Sequence, residues 1–342
     1  MYRNIFMLLA TLLAGCGKPK QQLNILTWPN GFDPQLITAF EQQFACKVVL
    51  DFFNDDAIAI PKLAGGGIST YDIVCLGNSR YEMATNLNLL APLRHENLPN
   101  FKNLDPEFVN LSTDPGNRFS IPYESVACGL FARIPPNGSL EQSWALIFDP
   151  AKQPGPFVLL DEVTSCLGAA LRYKGYSVNT TNKAELAEAR DLLVATKKRS
   201  LGFQAGSGNQ NRVLSGEAMV AMTWSTKAGQ IMKENPDVAF FIPREGAPYG
   251  IDSLSITSKA PHRDLAEAFL NYLMDAQVSL RTARYSGAPT LNKAARELLS
   301  PEERNNTNIY PPADVMRRLE MTGEWGNLTR LRDDIWTQIK AN

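Results

Sequence analysis

Only two histidines, His95 and His262, occur in 342 residues, far apart and beside Glu96 or Pro261. A histidine-rich metal centre or a histidine general base therefore has little material. Of the five cysteines, Cys46, Cys75, Cys128 and Cys166 lie in apolar or small-residue runs without Cys-x-x-Cys spacing. They read as buried thiols and not as a disulfide framework. Gly65-Gly66-Gly67-Ile68-Ser69-Thr70 lacks the lysine of a phosphate-binding loop, and the sequence has no Gly-x-Ser-x-Gly elbow, Ser-x-x-Lys or His-Glu-x-x-His. Asp161-Glu162 looks like a carboxylate pair, but neighbours on an extended segment point to opposite sides and cannot share one proton-transfer task. The residues that remain are aromatic and acidic side chains at the ends of apolar segments. They suit a cleft that binds a small molecule without catalysis, cofactor or metal.

The elements that would position them follow a regular order. Leu23 to Trp28 alternates as a strand, Asp33-Pro34 supplies an N-cap and first-turn proline, and Lys47 to Phe53 is β-branched and aromatic. A short helix ending near Leu63 precedes a buried strand, Tyr71 to Leu76. Strand, helix, strand, helix, strand is the grammar of a parallel sheet flanked by helices. It recurs in Phe157 to Leu160, in a helix from Lys183 to Arg199 with Leu186, Ala189 and Leu193 on one stripe, and in Ala218 to Trp224. The spacing then predicts one long amphipathic helix from Asp264 to Ser286, and Ser300-Pro301-Glu302-Glu303 carries a capping box that predicts another. The fold class is α/β in two lobes, as the length also suggests.

Lys+Arg of 34 against Asp+Glu of 35 leaves a net charge of −1, which removes the electrostatic case for nucleic acid or a polybasic membrane contact. The apolar run Ile5 to Ala14 is too short to span a bilayer of about 30 Å. It ends in Leu13-Ala14-Gly15-Cys16, which resembles the bacterial lipobox. Residues 1–15 read as a lipoprotein signal peptide, Cys16 as the lipidated residue and 16–22 as lipidated Cys and tether. The body is expected in the periplasm, touching the membrane only through lipid.

Several stretches together resemble one family: Trp28 after the first strand, Tyr71-Asp72-Ile73-Val74, Asn100 to Pro106, Ser120-Ile121-Pro122-Tyr123, Gly175-Tyr176-Ser177, Asp252-Ser253-Leu254, Asn292 to Arg296 and Ile309 to Val315. In this order they are similar to the spermidine/putrescine periplasmic binding proteins of ABC transporters. The resemblance implies a type II periplasmic-binding-protein fold with the ligand cleft between its lobes. Crossings are implied near Ser125, Ile251 and Arg296, so that lobe 1 is 23–126 plus 251–296 and lobe 2 is 127–250 plus 297–342. It implies a monomer that delivers a polyamine such as putrescine or spermidine to a permease and ATPase complex. Trp28 and Trp224 match the cleft aromatics, which grip methylene chains and ammonium groups, and Asp252 matches an acid that meets an ammonium. Ser79 joins this expected set.

Departures from the family pattern fall on the same cleft. Pro29, Asn30 and Gly31 replace a hydroxyl residue, an acid and an aromatic, and Ser165 replaces a glutamate. Gly250 replaces an aromatic, with Tyr249 as the possible substitute, and Ala288 replaces another. Lys227 stands where putrescine-type members carry an acid, and Glu162 where spermidine-type members have an aspartate. Each missing ion-pair partner in a desolvated site costs about 2–5 kcal/mol. An ω-amino acid, its amine at Asp252 and its carboxylate at Lys227, is the alternative ligand. A sensor or adhesion lipoprotein no longer coupled to transport is the alternative role.

Overall fold

A computed structural model describes residues 21–29, 31–53, 58–136, 138, 140–204, 208–226, 228–307, 309–323 and 326–342, with the backbone alone at Ser79, Gln230, Lys233 and Asn327. In the first lobe β1 (Gln22–Thr27) lies between β2 (Lys47–Phe52) and β3 (Ile73–Gly77) and runs parallel to both. The first crossover is α1 (Pro34–Phe44). It starts because Asp33 is extended and its carboxylate accepts the Gln35 N–H at 2.8 Å, with Pro34 supplying the fixed first-turn φ; it stops at Ala45, whose φ of 51° no helix continues. The second crossover contains α2 (Ala59–Ala64), and α3 (Tyr81–Asn86) follows β3. Both faces of this sheet are covered, one by Phe40 and Phe269 in edge-to-face contact at 4.9 Å, the other by Leu63, Tyr81 and Leu90 around Leu26 and Val74.

Two long antiparallel strands join the lobes. The first half of β4 (Ser120–Arg133) pairs with β9 (Ala247–Ile256), which also pairs with β3; the second half of β4 pairs with β7 (Val220–Trp224) and β8 (Val238–Phe241). With β5 (Phe157–Leu160) and β6 (Phe203–Gln204) the sheet runs β2-β1-β3-β9-β4-β7-β5-β6, and β10 (Leu319–Met321) lies parallel on β9. Around the second half pack α4 (Ala145–Phe148), α5 (Val163–Tyr173), α6 (Lys183–Lys197), α7 (Gly208–Leu214) and α8 (Ala228–Glu234). Trp144, Phe157, Leu167 and Leu193 form the second core.

The segment expected as one helix from Asp264 to Ser286 is two, α9 (Arg263–Leu273) and α10 (Ala276–Ser286). Asp275 is extended and accepts the N–H groups of Gln277 and Val278, while the Met274 carbonyl is taken by the side-chain amides of Asn103 and Asn292. Side chains from elsewhere in the chain thus replace the i to i−4 ladder at the break. Next come α11 (Lys293–Glu297), α12 (Pro301–Arg304) with the expected Ser300–Glu303 capping box, and α13 (Ala313–Met316). Beyond Arg296 the chain still packs on the first-lobe side: Leu299 and Tyr310 pack with Leu280, and Arg284 of α10 meets Glu303 at 2.7 Å. Finally α14 (Thr329–Ala341) closes the second core with Ile335 and Ile339. Cys46, Cys75, Cys128 and Cys166 are buried and none is disulfide-bonded. Among the described residues no helix is long and apolar enough to cross a membrane.

Candidate ligand-binding cleft

The site is built on β4 and β9 where they pass between the lobes. Asp252 lies opposite Gly77 of β3 on one side and opposite Glu124 of β4 on the other. This second pairing depends on a bulge. From Ser120↔Ser255 to Pro122↔Ser253 the register is regular, then Tyr123 is skipped and Glu124 meets Asp252. Without the extra residue Tyr123 would stand across from Asp252 and Glu124 would turn to the back of the sheet. Directly opposed residues share a face with their Cβ atoms about 4.5–5.5 Å apart, so two half-buried carboxylates come together. Like charges so placed repel, and a cation between them removes that cost. Sequence patterning missed Glu124, because a bulge carries no period-two signature.

The displaced Tyr123 still serves the site. Its hydroxyl donates to the Gly31 carbonyl at 2.7 Å and its ring packs on Phe32 at 5.2 Å, fixing the loop after Trp28. Trp28 follows β1 and meets Phe53 edge to face at 4.6 Å; its indole N–H is buried without a hydrogen-bond partner among the described residues. Beyond Glu124 the same face of β4 presents Val126 and then Cys128, which is paired across the ladder with Trp224. One strand face thus connects the carboxylate pair to the second expected tryptophan.

Glu162 belongs to this region but is already occupied. It is the N-cap of α5, accepting the Thr164 and Ser165 N–H groups at 2.8 Å each as well as the Ser165 hydroxyl. Burial, and after it the Glu162 charge, raises the Cys128 thiol, with Ser165 acting in the opposite direction; Cys128, Glu162 and Ser165 are thereby neighbours. Asp161 points elsewhere, to Lys340 at 2.7 Å.

Tyr249 is not brought to Asp252. Three positions apart on a regular strand, they face opposite sides, and Tyr249 packs with Phe108, Ala127, Ile251 and Leu291 on the back. At Gly250 any side chain would press on a neighbour. A Cβ there would stand 3.3 Å from Asn78 Oδ1, which accepts the Ile251 N–H at 3.0 Å while the Asn78 amide donates to the Thr322 carbonyl. Asn78 thus ties β3, β9 and the end of β10 where the family pattern has a ring. Ala288 is buried and borders a cavity of about 20 Å³ with Tyr123, Glu124 and Thr282. Asn30, Lys227 and Cys16 lie outside the described residues, and of Ser79 only the backbone, just after β3, is described. No group of three His, Cys, Asp or Glu side chains forms a metal site among the described residues.

Residues 35–309 match the family of bacterial extracellular solute-binding proteins. The chain belongs to that family. It is 30% identical to the putrescine-binding periplasmic protein PotF of Escherichia coli (strain K12), over 98% of this chain and 95% of that one. It is 28% identical to the spermidine/putrescine-binding periplasmic protein of the same organism, over 93% and 91%. A solved structure described as a putative spermidine/putrescine ABC transporter from Listeria monocytogenes superposes with a TM-score of 0.86 at 30% identity, covering 94% of this chain and 99% of that one. The family fold is the two-lobed periplasmic-binding-protein architecture of type II, as the strand crossings require.

Proposed function

We propose that this protein is the substrate-binding lipoprotein of an ABC importer, capturing a polyamine or a related small amine between its lobes and presenting it to a permease and ATPase complex. The names of the relatives support the transport role and the amine class. The observation that carries the amine reading is the Glu124–Asp252 pair, an acidic site in a chain of net charge −1. At an effective dielectric of about 20, an ammonium 4 Å from one carboxylate gains about 4 kcal/mol before desolvation, and the second carboxylate adds to it. Trp28 and Trp224 supply apolar faces for the methylene chain. The chain acts by binding and hinge closure, without catalysis, and is held at the envelope by lipid on Cys16.

A second reading, an ω-amino acid ligand, is favoured by one observation. The acid at the far end, Glu162, is spent on capping α5, which leaves the Glu124–Asp252 pair as the acidic end among the described residues. Calorimetry with putrescine, spermidine and γ-aminobutyrate tests both. Binding of a diamine or polyamine that weakens in Asp252→Asn supports the first, and γ-aminobutyrate binding that depends on Lys227 supports the second. Absence of binding to every amine overturns both.

A further inference from the structure

Tyr249, turned away from the cleft, leads to another site. Behind β4 and β9 lies a cavity of about 700 Å³, within the usual size range of small-molecule sites. Its apolar wall comes from both lobes and from the chain between them: Phe108, Phe240, Ile242, Met316, Leu319 and Met321. Its polar groups are mostly donors and cations. Tyr249 is nine-tenths buried and its hydroxyl has no hydrogen-bond partner among the described residues; Ser125 is close enough to influence it without reaching bonding geometry. Burial pushes this phenol up to about 12, so it keeps its proton at neutral pH and can only gain by donating.

The arginines add to the excess. Arg296 spends one terminal nitrogen on Asp105 at 3.1 Å, and its buried Nε has no hydrogen-bond partner among the described residues. Among the described residues Arg304 donates to the carbonyl oxygens of Arg296 and Glu297, at 3.5 and 3.3 Å. Arg317 makes no ion pair among the described residues, and Glu107 is the one acid in the described lining. Arg304 and Arg317 are exposed, whereas the Arg296 Nε and the Tyr249 hydroxyl are buried, and a buried donor without an acceptor costs about 1–3 kcal/mol. A ligand that brings an acceptor with negative charge recovers that cost.

We infer that this cavity binds a small monocarboxylate with an apolar body, its oxygens meeting Tyr249 and the arginines and its body lying on the Phe108–Phe240–Met321 wall. The site is separate from the cleft, because Tyr249 and Asp252 lie on opposite faces of β9.

Titration of the purified protein with hexanoate, hexylamine and 1-hexanol, followed by calorimetry and ligand-observed NMR, tests it. Hexanoate is expected to bind once, and hexylamine and 1-hexanol at least tenfold more weakly. Tyr249→Phe should weaken hexanoate about tenfold and Arg304→Ala with Arg317→Ala about tenfold or more, whereas Glu107→Gln should strengthen it a few-fold. The gain expected from Glu107→Gln cannot arise from misfolding. Absence of hexanoate binding at about 10 mM, or affinity unchanged in both the Arg304/Arg317 and Glu107 variants, overturns the proposal. Putrescine titrated into the same samples reads the cleft separately, so failure of one site is distinguishable from failure of the other.

Discussion

The two faces of β4 and β9 carry opposite chemistry within one strand's thickness. On the cleft face Glu124 opposes Asp252; on the back Tyr249 and Ile251 lie beside Ala127 and a cavity bordered by Arg296, Arg304 and Arg317. A single skipped residue, Tyr123, sets this division by moving Glu124 to the front. The placement of these acids is therefore a matter of strand register as much as of residue type.

The strongest way to break the contrast is to neutralise the front. Asp252→Asn should lower amine affinity about 100-fold, since it removes one partner of a desolvated charge pair. Calorimetry would reveal it, and a melting curve equal to that of the parent would show that folding is intact. Filling the seam between the faces is the next test. Gly250→Trp presses on the Asn78 amide that holds the Ile251 N–H and the Thr322 carbonyl, with an expected loss of about 1 kcal/mol in urea unfolding. Glu124→Gln should cost about tenfold in amine affinity, less than Asp252→Asn, because Asp252 is the acid that the family pattern places at the ammonium.

The smallest effect lies away from both faces. Glu303 is held down to about 2, first by the Arg284 side chain and then by the Ser300 backbone N–H. Its folded value is below its unfolded one, so its contribution is present above pH 4.5 and is lost as pH falls through about 2. Because Arg284 is half-exposed, solvent screening limits the contribution to about 1 kcal/mol or less. Glu303→Gln should flatten that part of an acid unfolding curve and leave the amine affinity unchanged.

Much of the fold was legible because it rests on local signals. Phe157 to Leu160 is a buried apolar run and is β5, and the Ser300 capping box begins α12 where its spacing requires. The break at Asp275 was hidden because two distant amides, Asn103 and Asn292, hold the Met274 carbonyl. In the cleft, the family resemblance pointed to Asp252, but Glu124 needed the bulge. The engagement of Glu162 was partly readable, since an acid before a helix is a natural N-cap. The orientation of Tyr249 was fully readable, because three positions along a strand reverse the face.

The most direct test of the central claim is a double-mutant cycle on Glu124 and Asp252 with putrescine as the ligand, read by calorimetry. If the two carboxylates share one ammonium, Glu124→Gln should weaken binding about tenfold alone and much less in the Asp252→Asn background, a coupling of about 1 kcal/mol. Equal effects of Glu124→Gln in both backgrounds, or none in either, would contradict the account.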